Sequence, residues 1–143
     1  GMTVAAEDEA LLQLCVPARA ARLKEIRGAV GKTAAHCGCG AEAVRDAVIA
    51  VGEACQNIIR HAYGEKLDGD IIVEIRCDGA DMVVDLRDFA DRVDPEKIKP
   101  RDLNDIKPGG LGTHFMREVM DSVEYLVPAQ GRGNLLRMVK RIS

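Results

Sequence analysis

Three groups of residues have types and spacings suited to chemistry. Glu53 and Asn57 stand four apart within a helical pattern, so they share one helical face. That face lies roughly opposite the apolar stripe of the same helix, as 100° per residue places it. A carboxylate beside a neutral amide oxygen offers a general base and a ligand for a hard cation such as Mg²⁺. The same pair would also serve as an ordinary solvated polar face. The second group is Asp88. Counting by twos from Met82 through Val84 and Leu86 lands on it, so it is in phase with the buried side of a strand. A carboxylate there costs several kcal/mol unless it is hydrogen-bonded. Either the strand has ended and Asp88 turns to solvent, or it is an acceptor on the floor of a ligand cleft. The third group is Lys107-Pro108-Gly109-Gly110-Leu111-Gly112-Thr113, a glycine-rich loop running into a helix. Exposed backbone N–H groups and the positive end of a helix favour phosphate there, although a plain flexible turn has the same composition.

Other chemistries fare worse. No GK[ST] follows the glycine loop, and Gly31-Lys32-Thr33 has Ile26 where a P-loop needs its first glycine. The spacings do not match a Rossmann fingerprint, and no strand leads into the loop. Serine occurs only at Ser122 and Ser143, so a GxSxG elbow is absent. The five cysteines, Cys15, Cys37, Cys39, Cys55 and Cys77, are odd in number and scattered, which reads as reduced thiols in a cytosolic protein. His36-Cys37-Gly38-Cys39 lacks a second Cys or His pair at finger spacing. It reads as a helix end in a glycine turn rather than a zinc site.

These residues need elements to hold them. Ala10 to Val16 is an apolar run ended by Pro17, a first strand. Residues 18–36 form an amphipathic helix whose basic side (Arg19, Arg22, Lys24, Arg27) is either a solvated face or a partner surface. A second helix covers about Ala41 to Tyr63, with Val44, Val48, Val51, Cys55, Ile58 and Ala62 as its stripe. Ile71 to Cys77 and Met82 to Leu86 alternate around Asp78-Gly79, a β-hairpin. From Phe89 to Gly110 the pattern dissolves into prolines and mixed charge, about twenty residues, too long for a mere connector. A helix follows Gly112, then strands at Val123 to Val127 and Leu135 to Val139 joined by turn residues Pro128 to Gly133. Helices and strands are segregated, so the expected class is α+β, a mostly antiparallel sheet with helices on one face.

Composition narrows the function. The chain has 143 residues, the size of one domain. Gly1 before Met2 reads as the remnant of a cleaved tag, so a single domain is expected over residues 2–143. Net charge is -3 and aromatics are 3% with no Trp, which argues against direct nucleic-acid binding by bulk charge or base stacking. No run approaches the ~20 apolar residues of a membrane span, and no secretory signal is visible, so a cytoplasmic protein without membrane contact is expected.

Together the three groups resemble a known set. Glu53 to Tyr63 (EACQNIIRHAY) looks like the N-box of the ATPase and kinase superfamily that includes gyrase and histidine kinases. Val84 to Ala90 resembles its aspartate box and Gly109 to Gly112 its glycine box. The tail from Phe115 to Tyr125 is particularly similar to the anti-sigma-factor serine/threonine kinases of bacteria. The resemblance spans about Leu11 to Ile142. It implies the histidine-kinase-like ATPase fold, a two-layer sandwich with a mixed, mostly antiparallel sheet and ATP held beneath a lid at about residues 91–108. It implies that Asn57 binds Mg²⁺, that Glu53 is the general base, and that Asp88 accepts the adenine amino group. It further implies that Gly109, Gly110, Leu111, Gly112 and Thr113 wrap the phosphates. The family's aspartate box usually carries glycine where this chain has Ala90, which brings a methyl toward the adenine. The function implied is phosphorylation of an anti-sigma-factor antagonist on serine or threonine, with sequestration of a sigma factor and a possible homodimer. A non-catalytic nucleotide-binding switch and a detached histidine-kinase catalytic domain are the alternatives.

Overall fold

The structure is a computed structural model that describes residues 10–62, 69–90, 110–128 and 133–142, with backbone alone at 61–62 and 110–114. Strand β1 (Leu12–Pro17) leads through a 3-10 turn, Ala20–Arg22, into helices α1 (Leu23–His36) and α2 (Ala41–Asn57). A π-helical turn, Ile58–Ala62, extends α2. Then come β2 (Asp70–Asp78), β3 (Asp81–Asp88), α3 (Gly110–Val119), β4 (Ser122–Leu126) and β5 (Asn134–Arg141). The strands make one sheet in the order β1-β2-β3-β5-β4. All four pairings among the described residues are antiparallel, so the expected α+β class with a mostly antiparallel sheet holds. Strand β5, last in the chain, inserts between β3 and β4 and sets Asn134 directly opposite Asp88.

The β2–β3 hairpin is the most local piece of this design. Asp78 pairs with Asp81 across a two-residue turn whose first residue, Gly79, has φ +63, as a type II′ turn requires. The tight turn fixes the register, and the register fixes which side chains face inward. Ile71, Val73, Ile75, Met82, Val84 and Leu86 are buried on one face, joined by Leu136 and Met138 from β5. Leu23, Ile26, Val30 and Ala34 of α1, Ala47, Ala50, Val51 and Cys55 of α2, and Met116 of α3 complete the core. The opposite face of the sheet carries Asp85, which takes two hydrogen bonds from Arg137 at 2.8 and 2.9 Å and one from Arg76 at 3.3 Å.

Several expectations shift in detail. Helix α1 begins at Leu23 rather than near residue 18. The preceding N–H groups are engaged elsewhere: Ala18 with Gly69 at 2.8 Å, and Arg19 with Pro17 at 2.8 Å. Pro17 lies inside β1, which tolerates it because β1 is an edge strand. The buried face of α2 is richer in alanine than the valine stripe suggests. The helix is flanked by α1 on one side and α3 on the other, so small residues at 47, 50 and 54 are enclosed as well. The basic side of α1 is partly consumed internally, since Arg22 pairs with Glu25 at 2.7 Å.

The cysteine reading needs correction. Cys37 and Cys77 form a disulfide, with Cα atoms 5.9 Å apart, inside the range such a bridge requires. The end of α1 is laid over the end of β2, which brings together residues 40 apart in sequence. Cys15, Cys39 and Cys55 are free. The predicted domain span 2–143 is wider than the described residues, and the lid at 91–108 lies outside them.

Candidate functional site

Strand β3 delivers Asp88 to the inner face, as the count by twos requires, and it is 5% exposed. The solvent-facing alternative is thereby removed. Burial pushes its carboxyl up from the ordinary value, and two hydrogen bonds oppose that shift. Asn134 Nδ2 donates to Asp88 Oδ1 at 2.9 Å, and the Ala90 N–H donates to the same oxygen at 3.1 Å. Among the described residues both hydrogen bonds converge on Oδ1, which leaves the Oδ2 position for a further donor. Ala90 is thus a direct neighbour of the carboxylate and packs against the core.

Asn134 is a site residue that the sequence did not disclose. It is 4% exposed and pairs with Asp88 across β3 and β5. Gly133 makes the approach possible. Its φ is +92, and a Cβ there would overlap the Asp88 carbonyl oxygen and stand 2.9 Å from Phe89 Cα. A Gly-Asn pair at the end of a turn reads as turn chemistry, so the one available signal was a glycine directly before a strand.

On α2, Glu53 and Asn57 are each half-buried rather than part of a solvated face. The carbonyl oxygen Oδ1 of Asn57 is buried and takes no hydrogen bond among the described residues, although the residue has other contacts. A neutral amide oxygen is a ligand type that suits a hard cation. The α-helical ladder stops at Asn57 and continues as the π turn, so the segment expected as helix to Tyr63 changes its winding just beyond this residue. Such π turns are frequent at functional sites. One residue before Glu53, Gly52 admits the Arg27 side chain of α1: a Cβ there would lie 2.8 Å from Arg27 Nε. Arg27 therefore lies across α2 and is only half-exposed.

The glycine box is placed differently from expectation. Helix α3 starts at Gly110, so Gly110, Leu111, Gly112 and Thr113 form its first turn instead of a loop preceding it. Glycine is compatible with a helix N-terminus, where the first N–H groups lack intrahelical partners. Gly109 lies outside the described residues. Among the described residues no group of three or more His, Cys, Asp or Glu could hold a metal by itself, and no helix is long and apolar enough to cross a membrane.

Comparison with known proteins agrees with this arrangement. Residues 16–140 match the histidine kinase-like ATPase domain. The serine-protein kinase RsbW of Staphylococcus aureus is 33% identical over 126 residues, covering 80% of this chain and 78% of that protein. The RsbW kinases of Bacillus subtilis and Halalkalibacterium halodurans are 30% and 29% identical, over 78% and 90% of this chain and 75% and 82% of theirs. Among solved structures, the histidine kinase domain of the blue-light-activated kinase of Erythrobacter litoralis EL346 superposes with a TM-score of 0.51 at 20% identity. It covers 99% of this chain and 68% of that one. The Acinetobacter baumannii histidine kinase AdeS gives the same TM-score at 11% identity, over 99% and 73%.

Proposed function

The chain belongs to the histidine kinase-like ATPase domain family, with RsbW serine-protein kinases among its relatives, and from that premise we propose that it is an ATP-dependent protein serine/threonine kinase of the anti-sigma-factor type. In this reading it phosphorylates a small antagonist protein in the cytoplasm, and it sequesters a sigma factor by direct binding. The observation that carries it is Asp88. A buried carboxylate kept at the end of an inner-facing strand, with both hydrogen bonds on one oxygen, is an acceptor presented to an amino group.

The adenine amine would donate to Asp88 Oδ2, with Asn134 and the Ala90 N–H fixing the orientation of the carboxylate. The first turn of α3, from Gly110 through Thr113, would offer backbone N–H groups to the phosphates, with Gly109 and the lid at 91–108 closing over them. Asn57 would hold Mg²⁺ through its side-chain oxygen, a neutral ligand of the type that suits a hard cation, one helical turn after Glu53. Bound Mg²⁺ neutralises phosphate charge. Glu53, one turn earlier on the same helix, would take the proton of the acceptor hydroxyl as that oxygen receives the γ-phosphoryl group.

The test is transfer of label from γ-³²P-ATP to a candidate antagonist protein. The expected product is acid-stable phosphoserine or phosphothreonine on that partner. Acid-labile label would instead indicate a histidine-kinase catalytic domain. Nucleotide binding without any transfer would indicate a switch that only binds.

A further inference from the structure

Aromatic side chains are scarce in this chain, two Phe, two Tyr and no Trp. Phe89 is 40% exposed and lies against Arg87 with the guanidinium carbon 5.0 Å from the ring centre, and Phe115 is 49% exposed on α3. Tyr63 lies outside the described residues. Tyr125 is the one ring that a strand of the described residues directs to the inner face.

Its place follows from the register. Tyr125 sits opposite Leu136, Leu136 sits opposite Leu86, and two residues earlier on β5 Asn134 sits opposite Asp88. Tyr125 is therefore diagonal to Asn134 across the β4–β5 pair, with Asp88 one strand further on the same face. Diagonal neighbours stand about 7–8 Å apart, within reach of an aromatic side chain. The ring is half-buried against the core. Its electrostatic surroundings agree: burial raises the phenol, the negative charge of Asp88 raises it further, and Arg117 of α3 lowers it. Asp88, Asn134 and Tyr125 thus lie together on the inner face of the sheet.

We propose that Tyr125 is a further base-contacting residue of the nucleotide site, its ring forming the wall on the β4 side of the adenine whose amine Asp88 accepts. This rests on the ATP reading above. A purine needs an apolar or aromatic surface against its flat face or edge, and Asp88 and Asn134 supply only polar atoms. Tyr125 adds that surface on the next strand. Contact between a base and an aromatic ring is worth about 1–3 kcal/mol, so truncation should weaken ATP by about 5- to 150-fold.

The absence of Trp makes the test direct, because tyrosine emission in this protein comes from Tyr63 and Tyr125 alone. In the parent, ATP should change that emission, and inorganic tripolyphosphate should not. Tyr125→Phe should abolish the change. In calorimetry Tyr125→Leu should weaken ATP by the stated factor and tripolyphosphate by less than twofold, while Tyr125→Phe should recover most of the loss. Thermal melts of each variant establish that it is folded. The inference is overturned if Tyr125→Leu binds ATP within twofold of the parent, or if it loses ATP and tripolyphosphate alike, since the ring would then be core packing. A parent that binds tripolyphosphate and not ATP overturns the inference together with the adenine role of Asp88. A parent that binds neither removes the nucleotide reading itself.

Discussion

Asp88→Asn is the substitution that separates fold from function most sharply here. Both hydrogen bonds to Asp88 arrive at Oδ1, from Asn134 Nδ2 at 2.9 Å and the Ala90 N–H at 3.1 Å. An asparagine can keep its carbonyl oxygen at that position and place its NH₂ where Oδ2 was. The fold therefore loses no hydrogen bond, and the ligand meets a donor in place of an acceptor. A hydrogen bond to a charged group contributes about 1.5–3 kcal/mol, so ATP affinity should fall about 10- to 150-fold. Guanine presents a carbonyl oxygen where adenine has its amine, so GTP should lose much less and the ATP/GTP ratio should narrow. Stability should move the other way. Burial raises the folded-state pKa of Asp88, so its contribution to folding is complete below the ordinary carboxylate range and is lost as pH rises through the raised value. At pH 7 the ionised group is a net cost, and the asparagine variant should melt no lower than the parent. That difference should shrink as pH falls, and the parent's ATP affinity should fall over the same interval. Calorimetry with ATP, GTP and tripolyphosphate, beside melts at pH 5 and pH 7, reads every part of this. Equal losses for all three ligands, or a melting point well below the parent at pH 7, would refute the reasoning and make Asp88 a structural residue.

The other expectations are simpler. Asn57→Ala should remove most Mg-ATP affinity, since it deletes the amide oxygen proposed as the cation ligand, and unchanged calorimetric affinity would sink the metal assignment. Glu53→Gln should keep ATP binding while single-turnover transfer falls about 10²- to 10⁴-fold, the usual weight of a general base, and transfer within a few-fold of the parent would count against that role. Reducing the Cys37–Cys77 bridge frees a loop of 40 residues, so chain entropy predicts a loss of about 4 kcal/mol, measurable as a lower urea midpoint with dithiothreitol; coincident curves would show that the bridge adds nothing. Gly133→Ala should destabilise by several kcal/mol, since positive φ costs about 1–3 kcal/mol and the new methyl also meets the Asp88 backbone; a melt within 2 °C of the parent would contradict the packing described.

What could be read from the chain divides by the sequence distance over which each feature is determined. Asp88 was legible because the hairpin is local. A two-residue turn at Gly79 sets the register, and a period of two carries that phase from Met82 to residue 88. Glu53 and Asn57 were legible as a pair because helical spacing is equally local. Their partial burial was not, since it depends on what packs around α2 rather than on helical spacing. Asn134 was missed for the same reason: its partner is 46 residues distant, and nothing near it in sequence reveals that β5 inserts beside β3. The Cys37–Cys77 bridge, 40 residues apart, belongs with it. Helix start points moved by a few residues where caps and turn hydrogen bonds, rather than apolar periodicity, decide them.

The places where local rules fail are themselves informative. A strand that alternates cleanly for three inward positions and then puts a carboxylate at the fourth violates its own pattern, at a cost that burial makes plain. The fold meets that cost with Asn134, with the Ala90 N–H, and with a glycine at positive φ that lets β5 begin close enough to help. Asn57, one turn after Glu53 on α2, sets a half-buried amide on the same helical face. The carboxylate does not help the protein to fold, and a leucine at 88 would have continued the core. A buried carboxylate held with both of its hydrogen bonds on one oxygen is the feature that supports the nucleotide proposal.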